Sequence, residues 1–149
     1  MIIEYFISNE FCIFIFITSC TIHENTKFIA DKVFYDHTNL TEIKFNATAM
    51  DDLSEDNYVF SYAGEDGNGI KVTIGKNVTR IPAYLFYNSY DGPNQWPVNI
   101  ISVEFEEGSV CESIGIGAIT ECTFSYTFAD ASLFKFYACY LWWIKTWIE

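Results

Sequence analysis

Lys71-Val72-Thr73-Ile74-Gly75-Lys76-Asn77 alternates polar with apolar side chains for four residues and then turns polar at a glycine. A period of two marks a short strand with one buried face, and Gly-Lys-Asn is turn chemistry. The phrase recurs upstream as Thr41-Glu42-Ile43-Lys44-Phe45. It recurs again downstream as Ser102-Val103-Glu104-Phe105, with Glu107-Gly108-Ser109 as its turn. The strand ends Phe45, Ile74 and Phe105 lie 29 and 31 residues apart (74 − 45 and 105 − 74). A spacing in that range is the mark of a repeat architecture.

Beyond each turn come a lone aliphatic residue and then an aromatic or aliphatic anchor: Leu53 and Phe60, Ile81 and Phe86, Ile114 and Ile119. Ile29 and Phe34 repeat the step, so the array begins before Thr41. Three residues past the anchors sit His37, Ala63, Ser89 and Cys122, a slot of mostly small side chains. The shared phase predicts one continuous core. Its members are Ile43, Phe45, Leu53, Phe60, Val72, Ile74, Ile81, Phe86, Val103, Phe105, Ile114 and Ile119. It also predicts parallel strands, with Phe45 beside Ile74 beside Phe105.

With those units in phase, FIADKVFYDHTNLTEIKF (28–45), KVTIGKNVTRIPAYLF (71–86) and SVEFEEGSVCESIGIGAITEC (102–122) resemble BspA-type leucine-rich repeats. The family pattern runs strand, polar turn, Val and Ile, Gly-x-x-Ala-Phe, two residues and Cys. Pro82 stands where Gly115 stands in the third unit, and Ile119 replaces the expected Phe. The loops 61–69 and 88–99 are longer than a compact repeat needs. The resemblance implies a leucine-rich-repeat solenoid, β-rich within the α/β class, with short parallel strands stacked into a curved sheet of about three repeats. It also implies a cell-surface or secreted protein acting in adhesion.

The organisation read from the sequence is an N-terminal apolar segment over 1–27, the repeats over 28–122, and an aromatic-rich cap or truncated tail over 123–149. Phe11 to Ile17 is apolar enough for a secretory signal, but no Lys or Arg precedes Lys27, and Glu4 and Glu10 sit where such a signal carries positive charge. The stretch therefore reads as a degenerate export signal or as a local apolar segment packed on the domain end. Ile17-Thr18-Ser19-Cys20 resembles a lipoprotein box, in which Cys20 is the lipidated residue. Downstream, Phe124, Tyr126 and Phe128 alternate with Ser125 and Thr127, as in one last strand. The tail from Phe134 to Trp147 is aromatic, and Asp130, Lys135 and Lys145 interrupt the region against a membrane-spanning helix. A cap, a truncation and a membrane-interface anchor are its three readings.

Half of the chain's 149 residues are apolar, enough to bury a sizeable core. Twenty acidic against eight basic side chains leave a formal charge of −12, which disfavours nucleic acid as partner. Five cysteines, Cys12, Cys20, Cys111, Cys122 and Cys139, show no C-x-x-C spacing. They read as mostly free thiols, with a Cys111–Cys122 bridge as an option. His23 and His37 are the only histidines, and neither stands in a nucleophile–base spacing. His37 reads as a turn or core-edge residue.

Glu65-Asp66-Gly67-Asn68-Gly69 has the oxygen ligands of a calcium loop without the spacing, and reads as a glycine turn. Asp51-Asp52 and Glu106-Glu107 are adjacent rather than opposed across a substrate, so they read as solvated turn charge. Three Asn-x-Thr triplets, at Asn39, Asn46 and Asn77, fit the glycosylation sequon. No catalytic constellation emerges, and no metal or cofactor is expected. The expected activity is binding of a protein or glycan through the outward strand positions Glu42, Lys44, Lys71, Thr73, Ser102 and Glu104, with the loop aromatics Tyr62, Tyr87, Tyr90 and Trp96. The alternative is a structural spacer, or a piece of a longer array with no binding role.

Overall fold

The alternating tetrapeptides become strands that lie side by side. The computed structural model describes residues 2–3, 17–87, 89–91, 94–96, 98–119 and 125–127. Along the chain these form β1 (Ile2–Ile3), β2 (Ser19–Ile22), β3 (Glu42–Phe45), β4 (Ile70–Ile74), β5 (Arg80–Ile81), β6 (Ser89–Asp91), β7 (Asn94–Trp96), β8 (Ile100–Phe105), β9 (Ser113–Ile114) and β10 (Ser125–Thr127). Among the described residues there is no helix. One sheet has the order β1-β2-β3-β4-β8-β10 with every pair parallel. β5 and β9 pair in parallel as a second sheet, and β6 and β7 form an antiparallel hairpin.

Phe45 pairs with Ile74 and Ile74 with Phe105, the register that the shared phase predicts. Ile43, Val72 and Val103 form the neighbouring row and are each 1% exposed. In-register strands stack equivalent residues at one strand spacing, and alternate side chains leave on opposite faces. A local alternation is thereby converted into continuous apolar rows. Eight of the twelve residues expected in the core are buried in it. Leu53, Phe105, Ile114 and Ile119 are only partly buried but pack against it.

The sheet also extends past the strands read from the sequence. β2, which the sequence reading leaves in the N-terminal apolar segment, pairs residue for residue with β3, Cys20 with Ile43 and Ile22 with Phe45. Cys20 and Ile22 are both buried. β10 is the last strand expected from the alternation around Tyr126. Ser19 to Glu42 and Ser102 to Ser125 each span 23 residues (42 − 19 and 125 − 102), against 29 and 31 for the units between (71 − 42 and 102 − 71). The strand-to-strand spacing therefore varies along the sheet, from 19 residues between β1 and β2 (21 − 2) to 31 between β4 and β8.

Outside the sheet the same correspondence is carried by backbone hydrogen bonds. The residue after each strand donates to the end of the preceding strand: Asn46 to Ile22, Gly75 to Phe45 and Glu106 to Ile74, all at 2.8–2.9 Å. Farther along, Phe34 N–H donates to Val59 O and Phe86 N–H to Ala118 O. The anchors consequently stack. The Phe34 and Phe60 rings lie 4.9 Å apart and 4° from parallel, Phe60 and Phe86 lie 5.2 Å apart, and Phe86 bridges to Ile119. Full burial stabilises each ring by about 1.5–3 kcal/mol, and such aromatic pairs add about 0.5–1.5 kcal/mol. His37 sits at the edge of this column. It is buried, edge-on to Phe34 at 5.8 Å, with Nδ1 3.0 Å from Tyr35 O, where it donates to the carbonyl.

The two long loops meet. Asn99 donates from its backbone to Ala63 O (3.3 Å) and from Nδ2 to Gly64 O (3.1 Å), while its own carbonyl accepts from Ile70 (2.7 Å). Ile101 is the extra residue of a bulge, because Ile70 pairs with Ile100 but Lys71 pairs with Ser102. Gly69 accommodates it. Its φ of +88° suits glycine, and a Cβ there would stand 2.3 Å from Ile101 Cγ2.

Cys20 and Cys111 are free, buried thiols. Burial pushes the Cys20 thiol up to about 12 and raises that of Cys111 as well. A thiol with a raised folded value favours the fold while protonated. That contribution is complete below the ordinary value near 9.0 and is lost as pH rises toward 12. At pH 8 neither thiol should react with iodoacetamide until denaturant is added, as mass spectrometry of peptides covering both residues would report. Rapid native labelling of Cys20 would contradict the packing. The 11–16 run, Cys12, Cys122, Cys139 and the aromatic tail from Phe128 onward lie outside the described residues.

Candidate binding surface

The outward positions of the sheet form two rows. Ser19, Glu42, Lys71 and Ser102 are in register in one, and Thr21, Lys44, Thr73 and Glu104 in the other. Glu42, Lys44, Lys71 and Glu104 are exposed and Thr73 is half-buried, so five residues expected on this face stand there together. Ser102 corrects the expectation. It is 9% exposed, and its hydroxyl has no hydrogen-bond partner among the described residues. With one heavy atom beyond Cβ, its side chain is too short to rise past Lys71 and Glu104.

The face is balanced in charge although the chain is strongly acidic. Glu42 neighbours Lys71 across β3 and β4, and Lys44 Nζ lies 2.6 Å from Glu106 Oε1. The other carboxylate oxygen of Glu106 accepts from Lys76 N–H at 3.0 Å. The Lys44 hydrogen bond, followed by that from Lys76, holds the Glu106 carboxyl below the ordinary glutamate value of 4.5. A depressed carboxylate contributes stability above its unfolded value and loses it as pH falls through the lower folded one. An NMR titration should therefore place Glu106 below 4.5, and Lys44→Ala should move it back up. The pair is solvent-facing, so the variant should change stability at neutral pH by no more than about 1 kcal/mol. An unmoved titration would exclude the ion pair.

Tyr62 and Tyr87 do not join this face. Tyr62 is edge-on to Tyr35 at 5.6 Å, and Tyr87 is edge-on to Tyr84 at 5.1 Å. Both sit within two residues of a stacked anchor, Phe60 or Phe86, outside the six-stranded sheet. Tyr90 and Trp96 belong to the hairpin, where Tyr90 pairs with Gln95 and Trp96 with Ser89. Their side chains lie outside the described residues.

The anchor turns thus form a second surface, of which the expected site residues include only Tyr62 and Tyr87. Lys32, Tyr35, Tyr58 and Tyr84 belong to it with Tyr62 and Tyr87. The signal lies in the phase: Tyr58 and Tyr84 stand two before an anchor, and Tyr35 and Tyr87 one after. Left-handed residues wrap the anchors, with Lys32, Tyr84 and Gly117 two before and Asp36 and Tyr62 two after, at φ between 56° and 64°. For a residue with a side chain this conformation costs about 1–2 kcal/mol, so the packing around the anchors overrides local preference. All five tyrosines are half-buried.

Other candidate chemistry has structural occupations. Arg80, the only arginine, is paired with Asp52, whose carboxylate also accepts from Ala83 N–H at 2.6 Å. Residues 65–68 are exposed turn, and among the described residues no three His, Cys, Asp or Glu side chains gather around a common point. No helix among them is long and apolar enough to cross a membrane. Comparison with protein families, curated proteins and solved structures finds no match.

Proposed function

We propose that the chain is a leucine-rich-repeat solenoid of the BspA type, displayed on a cell surface or secreted, which binds a protein or glycan and has no catalytic activity, metal or cofactor. One observation carries this reading: equivalent residues of successive units are hydrogen-bonded in register both in the sheet and beyond it. Such stacking repeats a row of outward side chains at about 4.8 Å intervals. Glu42, Lys44, Lys71, Thr73 and Glu104 are held on strands paired on both sides, so a ligand would meet a surface ordered in advance. The shifted groups fit the same reading, since burial accounts first for the thiols and for the raised Tyr35 phenol, and an ion pair for Glu106.

The spacer reading has one observation in its favour, the mutual compensation of the face charges, including Lys44 with Glu106. An array of matrix proteins and glycans, probed with wild type, Glu42→Lys/Lys71→Glu and Tyr90→Ala/Trp96→Ala, separates the two. The binding reading expects retention by wild type and about a tenfold or greater loss in the strand-face variant. Loss only in the hairpin variant would move the site to the loops. Retention of no ligand by any of the three proteins would support the spacer.

A further inference from the structure

We propose that the anchor-turn surface formed by Lys32, Tyr35 and Tyr58 docks a cationic, lysine- or arginine-rich segment of a partner protein. The faces of a tyrosine ring carry the negative side of its quadrupole and attract an ammonium or guanidinium within about 6 Å of the centroid. The chain already places a cation there. Lys32 Nζ stands 5.5 Å from the Tyr58 centroid and 6.0 Å from that of Tyr35.

The rings come from successive units and are held in place. Tyr58 N–H donates to Asp31 Oδ1 at 2.8 Å, which ties the second anchor turn to the first, and Tyr35 is braced edge-on by Tyr62. Both residues are half-buried. Lys32 is exposed and on a flexible stem, so it is a displaceable occupant. A partner segment presenting several linked cations gains from effective concentration, which a single intramolecular lysine does not.

Charge selects the same occupant. Segments 28–38, 54–62 and 82–87 carry Asp31, Asp36, Glu55 and Asp56, all exposed, against Lys32 as their only lysine or arginine. On the strand face positive and negative residues alternate, so the unbalanced acidic field of this region lies at the turns. A glycan could also stack on tyrosine. Neither the seated ammonium nor the acidic rim is needed for a neutral sugar, whereas both suit a cation. The surface is separate from the strand face, so its fate does not depend on that reading.

Titrating the whole chain with a nona-arginine peptide at about 0.15 M salt tests the proposal, with a neutral oligosaccharide as the competing class. Tyr35→Leu/Tyr58→Leu leaves the net charge unchanged, so generic attraction to an acidic protein persists in it. We expect binding about tenfold weaker in this variant and several-fold tighter in Lys32→Gln, which removes the competing intramolecular ammonium. Tyr35 and Tyr58 ring resonances of the wild type should shift saturably with peptide, a readout that does not depend on any variant folding. Unchanged affinity in the leucine variant, unshifted rings, or tighter binding of the oligosaccharide at the same rings would overturn the proposal.

Discussion

Replacing Phe60 by alanine is expected to lower the unfolding free energy by about 3–5 kcal/mol, measured from urea denaturation with an unchanged slope. Phe60 is 2% exposed and is the middle ring of the anchor column, parallel to Phe34 on one side and tilted against Phe86 on the other. Its removal leaves a cavity between two rings that are themselves fixed by backbone bonds, Phe34 N–H to Val59 O and Phe86 N–H to Ala118 O. The site therefore collapses poorly, which places the cost toward the upper end of that range. Since domains are typically stable by about 5–15 kcal/mol, one side chain carries a large share. Phe60→Leu fills part of that cavity but loses both ring pairs, and should cost less than the alanine change. A cost below about 1 kcal/mol for the alanine variant would mean that the column is not structural.

Gly115→Ala is expected to cost about 3 kcal/mol or more, although it adds a single carbon. A Cβ at Gly115 would stand 2.3 Å from Ala83 N, 2.5 Å from Ala83 Cα and 2.8 Å from Pro82 C. All three are backbone atoms, so no rotamer change relieves the overlap, and one unit must move away from the next. That movement strains the bonds from Gly115 N–H to Ile81 O (2.8 Å) and from Tyr84 N–H to Ile116 O (3.0 Å). Amide hydrogen exchange at Gly115 and Tyr84 should accelerate together. Gly108→Ala provides the contrast. Gly108 has φ of +75° with nothing within 4 Å of the added carbon, so only the conformational cost of about 1 kcal/mol remains. Equal effects for the two would show that space between units is not what Gly115 supplies.

Both expectations rest on features legible to different degrees in the chain. The alternation at Ile43 and Phe45, Val72 and Ile74, and Val103 and Phe105 is readable because each strand writes its two faces into adjacent residues. β2 escapes the same reading. Ser19-Cys20-Thr21-Ile22 alternates too, but it lacks the charged outward residues that set Glu42-Ile43-Lys44-Phe45 apart, and it follows an apolar run. The uneven strand spacing is hidden for a related reason: the longer intervals hold loops whose meeting at Asn99 depends on bonds between residues 35 apart (99 − 64). On the strand face, Glu42, Lys44, Lys71, Thr73 and Glu104 stand where their phase puts them, whereas Ser102 fails because height above a sheet depends on the neighbours. Tyr62 and Tyr87 lie in the expected loops but belong to the anchor turns, since their partners are Tyr35 and Tyr84.

By itself the sequence determines β3, β4, β8 and β10, the inward rows of the first three, the anchors Phe34, Phe60, Phe86 and Ile119, and the parallel register. These follow from local periodicity and equal phase, which any chain burying its apolar residues must respect. Only the tertiary structure decides how the units touch: the near-parallel stacking of Phe34 on Phe60, the backbone approach at Gly115, the reach of Lys44 to Glu106, and the gathering of Lys32, Tyr35 and Tyr58 around one point. Apart from Lys32 with Tyr35, which are three residues apart, each depends on distances of a few ångströms between residues more than twenty apart in sequence. Insertions and left-handed turns set those distances, and residue order does not record them.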